Sequence, residues 1–259
     1  MAKCNKLLLC GWHTDEGGNE VRRRILLLIF SVLLSIPSLG QFAYAQLESL
    51  DIGDAANTPG STEFKNGTYT IIGSGSDIWG PADGFRFAYT KVSGNFEVKA
   101  RQVSIELKNV WAKGGIHARQ SVDAGAPNAQ VIVTGGGGGG CQVTWRLAKN
   151  GGSEELLDIA PGQWKDDECW LKLTREGDDF NGYISKDDKN WSDLKFTTVK
   201  MSDPICVGLA VCGMDQPGKG VYDNFTIAQN GRQIFPGFAV ESVGKLPITW
   251  GNIKQNKDL

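Results

Sequence analysis

The sequence predicts an all-β protein, a two-sheet antiparallel β-sandwich. Three observations carry this: apolar and polar residues alternate with period two from Gly67 to Ser121, glycine-rich corners separate the alternating runs, and no segment after residue 45 keeps a helical period. Phe85, Phe87 and Tyr89 share one parity, and Arg86, Ala88 and Thr90 share the other. Further on, Phe96, Val98 and Ala100 point one way while Asn95, Glu97, Lys99 and Arg101 point the other. A one-residue slip there would carry charges into the core, so the register is tightly specified.

Residues 1–20 carry acidic groups and lack the form of a signal n-region, yet they precede a complete secretory signal at 21–45. Three arginines lead an apolar run from Ile25 to Leu34, and Ala43-Tyr44-Ala45 offers a small-x-small cleavage site before Gln46. The competing reading is a membrane anchor, but Ser31, Ser35 and Pro37 break the run well short of the ~20 residues a span needs. The expectation is translation from a non-Met codon at Val21, cleavage, and a secreted, extracellular or periplasmic chain.

Residues 46–60 lead into the domain, and strands are expected near 61–65, 68–74, 84–91, 94–105, 112–121, 127–134, 141–148, 168–176, 179–186, 194–200, 204–212 and 220–228. The run Gly135–Gly140 lacks the Lys-Ser/Thr and helix of a phosphate loop, so it is expected as a hairpin connection. The sandwich is expected over 46–228. Residues 229–259 change character and form either a docking or sorting tail, through which a protein partner would bind, or one extra strand.

Removal of residues 1–45 takes out Lys3, Lys6, Arg22, Arg23 and Arg24 together with Asp15, Glu16 and Glu20. The chain goes from 27 basic and 29 acidic side chains to 22 and 26, a formal charge of −4. Nucleic acid and anionic membrane both call for a basic surface, so neutral ligands are favoured. Cys141, Cys169, Cys206 and Cys212 remain, and four cysteines allow three pairings. Cys206 and Cys212 share a strand face but lie too far apart along it to bond each other. Four buried, reduced thiols are the alternative.

DIWGPADGFRFAY, WAKGGIHARQS with the following DAGAPNA, WLKLTREGDDFNGYIS leading to Trp191, and ICVGLAV followed by YDNF together resemble a branch of the concanavalin A-like lectin/glucanase superfamily. The resemblance spans about residues 51–228 and implies a secreted bacterial jelly roll. Because that fold serves lectins, hydrolases and structural modules alike, function must be argued from the site.

Catalytic groups are scarce. His117 is the only histidine after residue 45, and neither GxSxG nor HExxH occurs. The ExDxE arrangement of the glucanase members is absent; Glu154-Glu155 and Asp166-Asp167-Glu168 fall in apparent loops and Asp178-Asp179 in a hairpin turn. Binding is better supplied. Jelly-roll sheets are curved, and by parity Arg86, His117, Arg119, Gln130, Thr144 and Arg146 are expected to line a concave groove, opposite Phe85, Phe87, Ile116 and Val143. Trp79, Asp83 and Trp111 are expected at its rim, the indoles offering their faces to pyranose C–H groups. Bland readings stand beside these: Trp145 as core with Val143 and Leu147, Arg119 with Asp83 as an ion pair beneath a loop, and His117 as a surface residue. Many sandwiches of the family that the chain resembles hold a calcium ion between acidic loop residues, so either no cofactor or a calcium ion is expected; Asp51, Asp54, Asp77 and Asp223 are available oxygen donors, at no diagnostic spacing. The leading expectation is a non-catalytic carbohydrate- or glycoconjugate-binding module. A structural or protein-adhesion module and a glycan hydrolase are the alternatives.

Overall fold

A computed structural model describes residues 46–135, 140–156, 168–194 and 198–236. The expected signal and the residues before it, most of Gly135–Gly140, and the tail beyond Pro236 lie outside the described residues. Two antiparallel sheets pack face to face. The first runs β1 (Glu48–Ile52), β4 (Phe85–Val92), β13 (Ile205–Cys212), β6 (Lys113–Arg119), β7 (Asn128–Thr134), β8 (Cys141–Arg146) and β9 (Ser153–Leu156), in that spatial order. The second runs β12 (Trp191–Asp193), β11 (Asp179–Ser185), β10 (Cys169–Glu176), β5 (Phe96–Glu106), β14 (Met214–Gln229), β3 (Thr68–Gly75) and β2 (Ser61–Lys65), with β15 (Arg232–Phe235) pairing β14. This is a jelly-roll β-sandwich.

Between the sheets lies the main core. Val98 and Ala100 of β5, Leu171 and Leu173 of β10, and Tyr222 and Ile227 of β14 meet Ile116, Val131, Val143, Val207 and Leu209 of the first sheet. Phe96, Val98 and Ala100 are buried as their parity requires, and Arg101 turns outward to Asp223 and Glu168. On one flank the sheets touch backbone to backbone. A Cβ on Gly73 of β3 would come within 2.1 Å of the Val211 carbonyl oxygen on β13. Gly75, at φ +107°, would place one 2.0 Å from the Gly84 carbonyl oxygen. Only glycine allows that approach.

The middle strands of the first sheet are buried on both faces. On the face turned away from the second sheet, Phe85, Phe87, Tyr89, Cys206, Ala210 and Cys212 pack with Ile52 and Ile78, and every residue of β6, β7, β8 and β13 is buried. Cys206 and Cys212 lie on that outer face, whereas Cys141 and Cys169 lie between the sheets, and none of the four is in a disulfide among the described residues. Burial pushes the Cys212 thiol up to about 12. Of the pairings open to the sequence, a bridge linking either of Cys206 and Cys212 to Cys141 or Cys169 would have to pass through the sheet.

The differences from the sequence expectation concern short elements, and β9 and β12 fall where no strand was expected. The leading segment contains β1, which pairs β4 from Glu48↔Tyr89 to Ile52↔Phe85. Of the strand expected over 194–200, residues 195–197 lie outside the described residues, and Thr198 forms an isolated bridge to Asp179. Past residue 228, where a tail or one extra strand was expected, strand pairing continues into β15, and residues 237–259 lie outside the described residues.

Candidate functional site

The expected site residues separate into three places. The decisive segment is the loop from Ser76 to Gly84, which folds over the outer face of the first sheet. At its start Asp54 accepts a hydrogen bond from Ser76 N at 3.0 Å. At its end Asp83, wholly buried, is held between two wholly buried arginines. Arg119 reaches Asp83 at 3.1 Å, and Arg146 grips both carboxylate oxygens at 2.9 and 2.5 Å. Two guanidinium groups against one carboxylate leave an excess positive charge, which backbone carbonyl oxygens accommodate. Arg119 donates to Ser121 O (2.7 Å) and Asp123 O (2.5 Å), and Arg146 to Gly80 O (2.8 Å) and Ala126 O (3.0 Å). The cluster fastens two loops, 76–84 and 121–126, to the sheet. Burial works against the charge of Arg119 and lowers its pKa from the ordinary value of 12.5, with Asp83 opposing.

His117 continues this network inward. Arg119 can only donate, so the His117 Nε2 lying 3.3 Å from it carries the lone pair. The Nδ1–H therefore donates to Gln130 Oε1 at 2.9 Å, and Gln130 Nε2 donates to Thr144 Oγ1 at 2.5 Å. Phe85 and Phe87 flank the imidazole at 5.0 and 5.5 Å between centroids. Burial first, then the neighbouring Arg119, lowers the His117 pKa well below 6.5, against a smaller upward pull from the Gln130 hydrogen bond. The consequence has a definite sign: below about pH 6.5 the unfolded chain takes up a proton that the folded chain refuses, so stability falls with falling pH. Urea midpoints at pH 7.5 and 5.5 are expected to show an acid loss with a slope of up to about 1.4 kcal/mol per pH unit. His117→Gln should flatten it. Equal acid slopes in the two proteins would reject this account.

These placements correct the groove expectation. His117, Arg119, Gln130 and Arg146 do share one face, but they are buried and hydrogen-bonded within the protein. Phe85 and Phe87 lie on that same face rather than opposite it. Arg86 faces the other way: it bonds Asp51 at 2.9 Å, Ser49 at 2.9 Å and Thr62 at 3.1 Å where the two sheets meet. The reason is that a sheet buried on both faces carries apolar residues at both parities, so parity alone does not name the ligand side. Trp145 joins the inter-sheet core, whereas Leu147 is exposed. The four carboxylates considered for calcium hold separate protein donors: Asp51 on Arg86, Asp54 on Ser76 N, Asp77 on Lys113 and Asp223 on Arg101. Among the described residues no three His, Cys, Asp or Glu side chains gather as a metal site would need.

Trp79 and Trp111 stand apart from the buried network, 37% and 46% exposed. They line a pocket of about 220 Å³ together with Asp77, Lys113, Gln142 and Glu155. Lys113 ties its two sides together, donating to Asp77 Oδ1 at 2.5 Å and to Trp111 O at 3.0 Å. Trp111 N in turn donates to Asn109 Oδ1 at 2.9 Å. Gln142 is buried beneath, and its Nε2 has no hydrogen-bond partner among the described residues. Asp77, Lys113, Gln142 and Glu155 were not among the expected ligand contacts. Lys113 lies two pleat repeats before His117 and Gln142 one repeat before Thr144, at the parity already chosen on each strand, so the same rule extended to the strand ends would have included them. Chemically the pocket offers two indole faces, buried nitrogen donors at its floor and a carboxylate at its mouth.

No protein-family model matches the chain. No curated protein matches it either. Among solved structures it is similar to a functionally unknown protein from Saccharomyces cerevisiae, at TM-score 0.55 and 18% identity, over 71% of this chain and 96% of that one. It is also similar to the carbohydrate-binding module CBM66 from Bacillus subtilis, at TM-score 0.50 and 15% identity, over 73% of this chain and 99% of that one. At these identities the likeness is one of fold.

Proposed function

We propose that the domain is a secreted, non-catalytic carbohydrate- or glycoconjugate-binding module, and that its ligand sits between Trp79 and Trp111. One observation carries the reading. Two exposed indoles flank a pocket whose floor is polar and partly unsatisfied. Aromatic faces take the C–H side of a sugar ring and polar groups fix its orientation. That a solved structure of similar fold is a carbohydrate-binding module supports it.

A second reading, glycan hydrolysis, has one observation in its favour: Asp77 and Glu155 line the same pocket, and glycosidases work with two carboxylates. Against it, Asp77 is engaged by Lys113 and by Ile78 N at 2.7 Å. A glycan array combined with reducing-sugar release from the bound glycans separates the readings. The expected result is binding without release. Release that disappears in Asp77→Asn or Glu155→Gln would establish the hydrolase, and an array with no glycan bound would remove both.

A further inference from the structure

The Trp79–Trp111 pocket has an end. Its volume of about 220 Å³ lies below the ~300–1,000 Å³ of pockets that enclose drug-sized ligands. Along the same sheet face the next pleats present Gly115 and Ile132, then His117, Gln130 and Thr144, all buried. Beyond them Arg119 and Arg146 lie under the loops they fasten. A polysaccharide laid across the face would need those pleats open, and they are closed.

The polar groups narrow the ring further. An ammonium has three donors, and Lys113 directs two of them to Asp77 and Trp111 O. Its remaining donor and the unpartnered Nε2 of Gln142 call for acceptors such as sugar hydroxyl oxygens. Asp77 is balanced by Lys113, but Glu155 makes no ion pair among the described residues. The pocket as a whole therefore carries a net negative charge, which welcomes a hydroxyl donor and repels a carboxylate.

Resting on the carbohydrate-binding reading, we infer that the pocket takes a single terminal, uncharged sugar ring end-on, and that uronate-terminated chains bind poorly. The test is tryptophan-fluorescence titration of the full-length protein with linear gluco-, xylo-, manno- and galacto-oligosaccharides of one to six rings. Each is used with a free and with an O-methylated non-reducing terminal ring, beside matched chains ending in glucuronate. For the series that binds, affinity should change less than about threefold from two to six rings, and methylation should lower it at least about tenfold, because the added methyl groups enlarge a ring that must fit about 220 Å³ and remove the hydroxyl protons that Glu155 would accept. Glu155→Gln should raise affinity for the glucuronate-ended chain about fivefold. Affinity that climbs steadily with length, or survives methylation, overturns end-on recognition and leaves the carbohydrate reading standing. Glucuronate ends bound as tightly as neutral ones overturn the charge selection. No binding by any series or by the array overturns the carbohydrate reading together with this inference.

Discussion

Asp83→Ala is expected to cost the domain about 3–5 kcal/mol, the scale for removing one partner of a buried ion pair. Against the ~5–15 kcal/mol that holds a typical domain together, this is a large fraction. The cause is specific. Without the carboxylate, Arg119 and Arg146, both wholly buried, face each other with only carbonyl oxygens to offset two positive charges. The loops at 76–84 and 121–126 lose a shared anchor at the same time. Asp83→Asn should recover little, because it restores shape without charge. Replacing Asp83, Arg119 and Arg146 together by apolar residues of similar volume should cost less than Asp83→Ala alone, since no uncompensated charge remains. Urea unfolding midpoints across the set check this. An Asp83→Ala midpoint equal to that of the natural protein would mean that the cluster does not hold the fold.

Removing both indole walls is the second large change expected. Trp79→Ala and Trp111→Ala should each weaken glycan binding by ~1–3 kcal/mol, the usual scale for an aromatic anchor. The double variant should bind too weakly to measure by calorimetry. Stability should change little, since both rings are well exposed and exposed side chains contribute little core area. If both single variants bind as the natural protein does, the ligand is elsewhere. If they unfold, the rings belong to the fold rather than to the ligand.

Most strand positions were legible in the sequence wherever one face of a strand was polar, whereas their order in the two sheets was not. β5 is the clearest instance: Glu97, Lys99 and Arg101 against Phe96, Val98 and Ala100 gave both its extent and its buried side. β6, β7, β8 and β13 were legible as strands but not as faces. VIVT and ICVGLAV read as nearly continuous apolar runs, and such runs belong to strands covered on both sides. That signal marked β7 and β13 as covered on both sides, but His117, Arg119 and Arg146 lie on β6 and β8, whose places beside those strands follow only from the fold. β1, β9 and β12 are short edge strands of three to five residues, too brief to show a period. Of the expected rim, only the exposure of Trp79 and Trp111 was legible, from the glycines that follow each ring in the sequence. The contact between Lys113 and Asp77 was not, since 36 residues separate them and only the folded loop brings them together.

The loop that walls the pocket is fixed at both ends and free in the middle. Asp77 is clamped by Lys113 at one end, Gly80 O and Asp83 by Arg146 at the other, and Ile78 is sunk into the outer-face cluster. Between these posts Trp79, Pro81 and Ala82 project to solvent. Mutational change in those three positions is thereby insulated from the folding energy, and because Trp79 among them lines the pocket, a library that varies it would vary what the pocket grips while every member inherits the same scaffold.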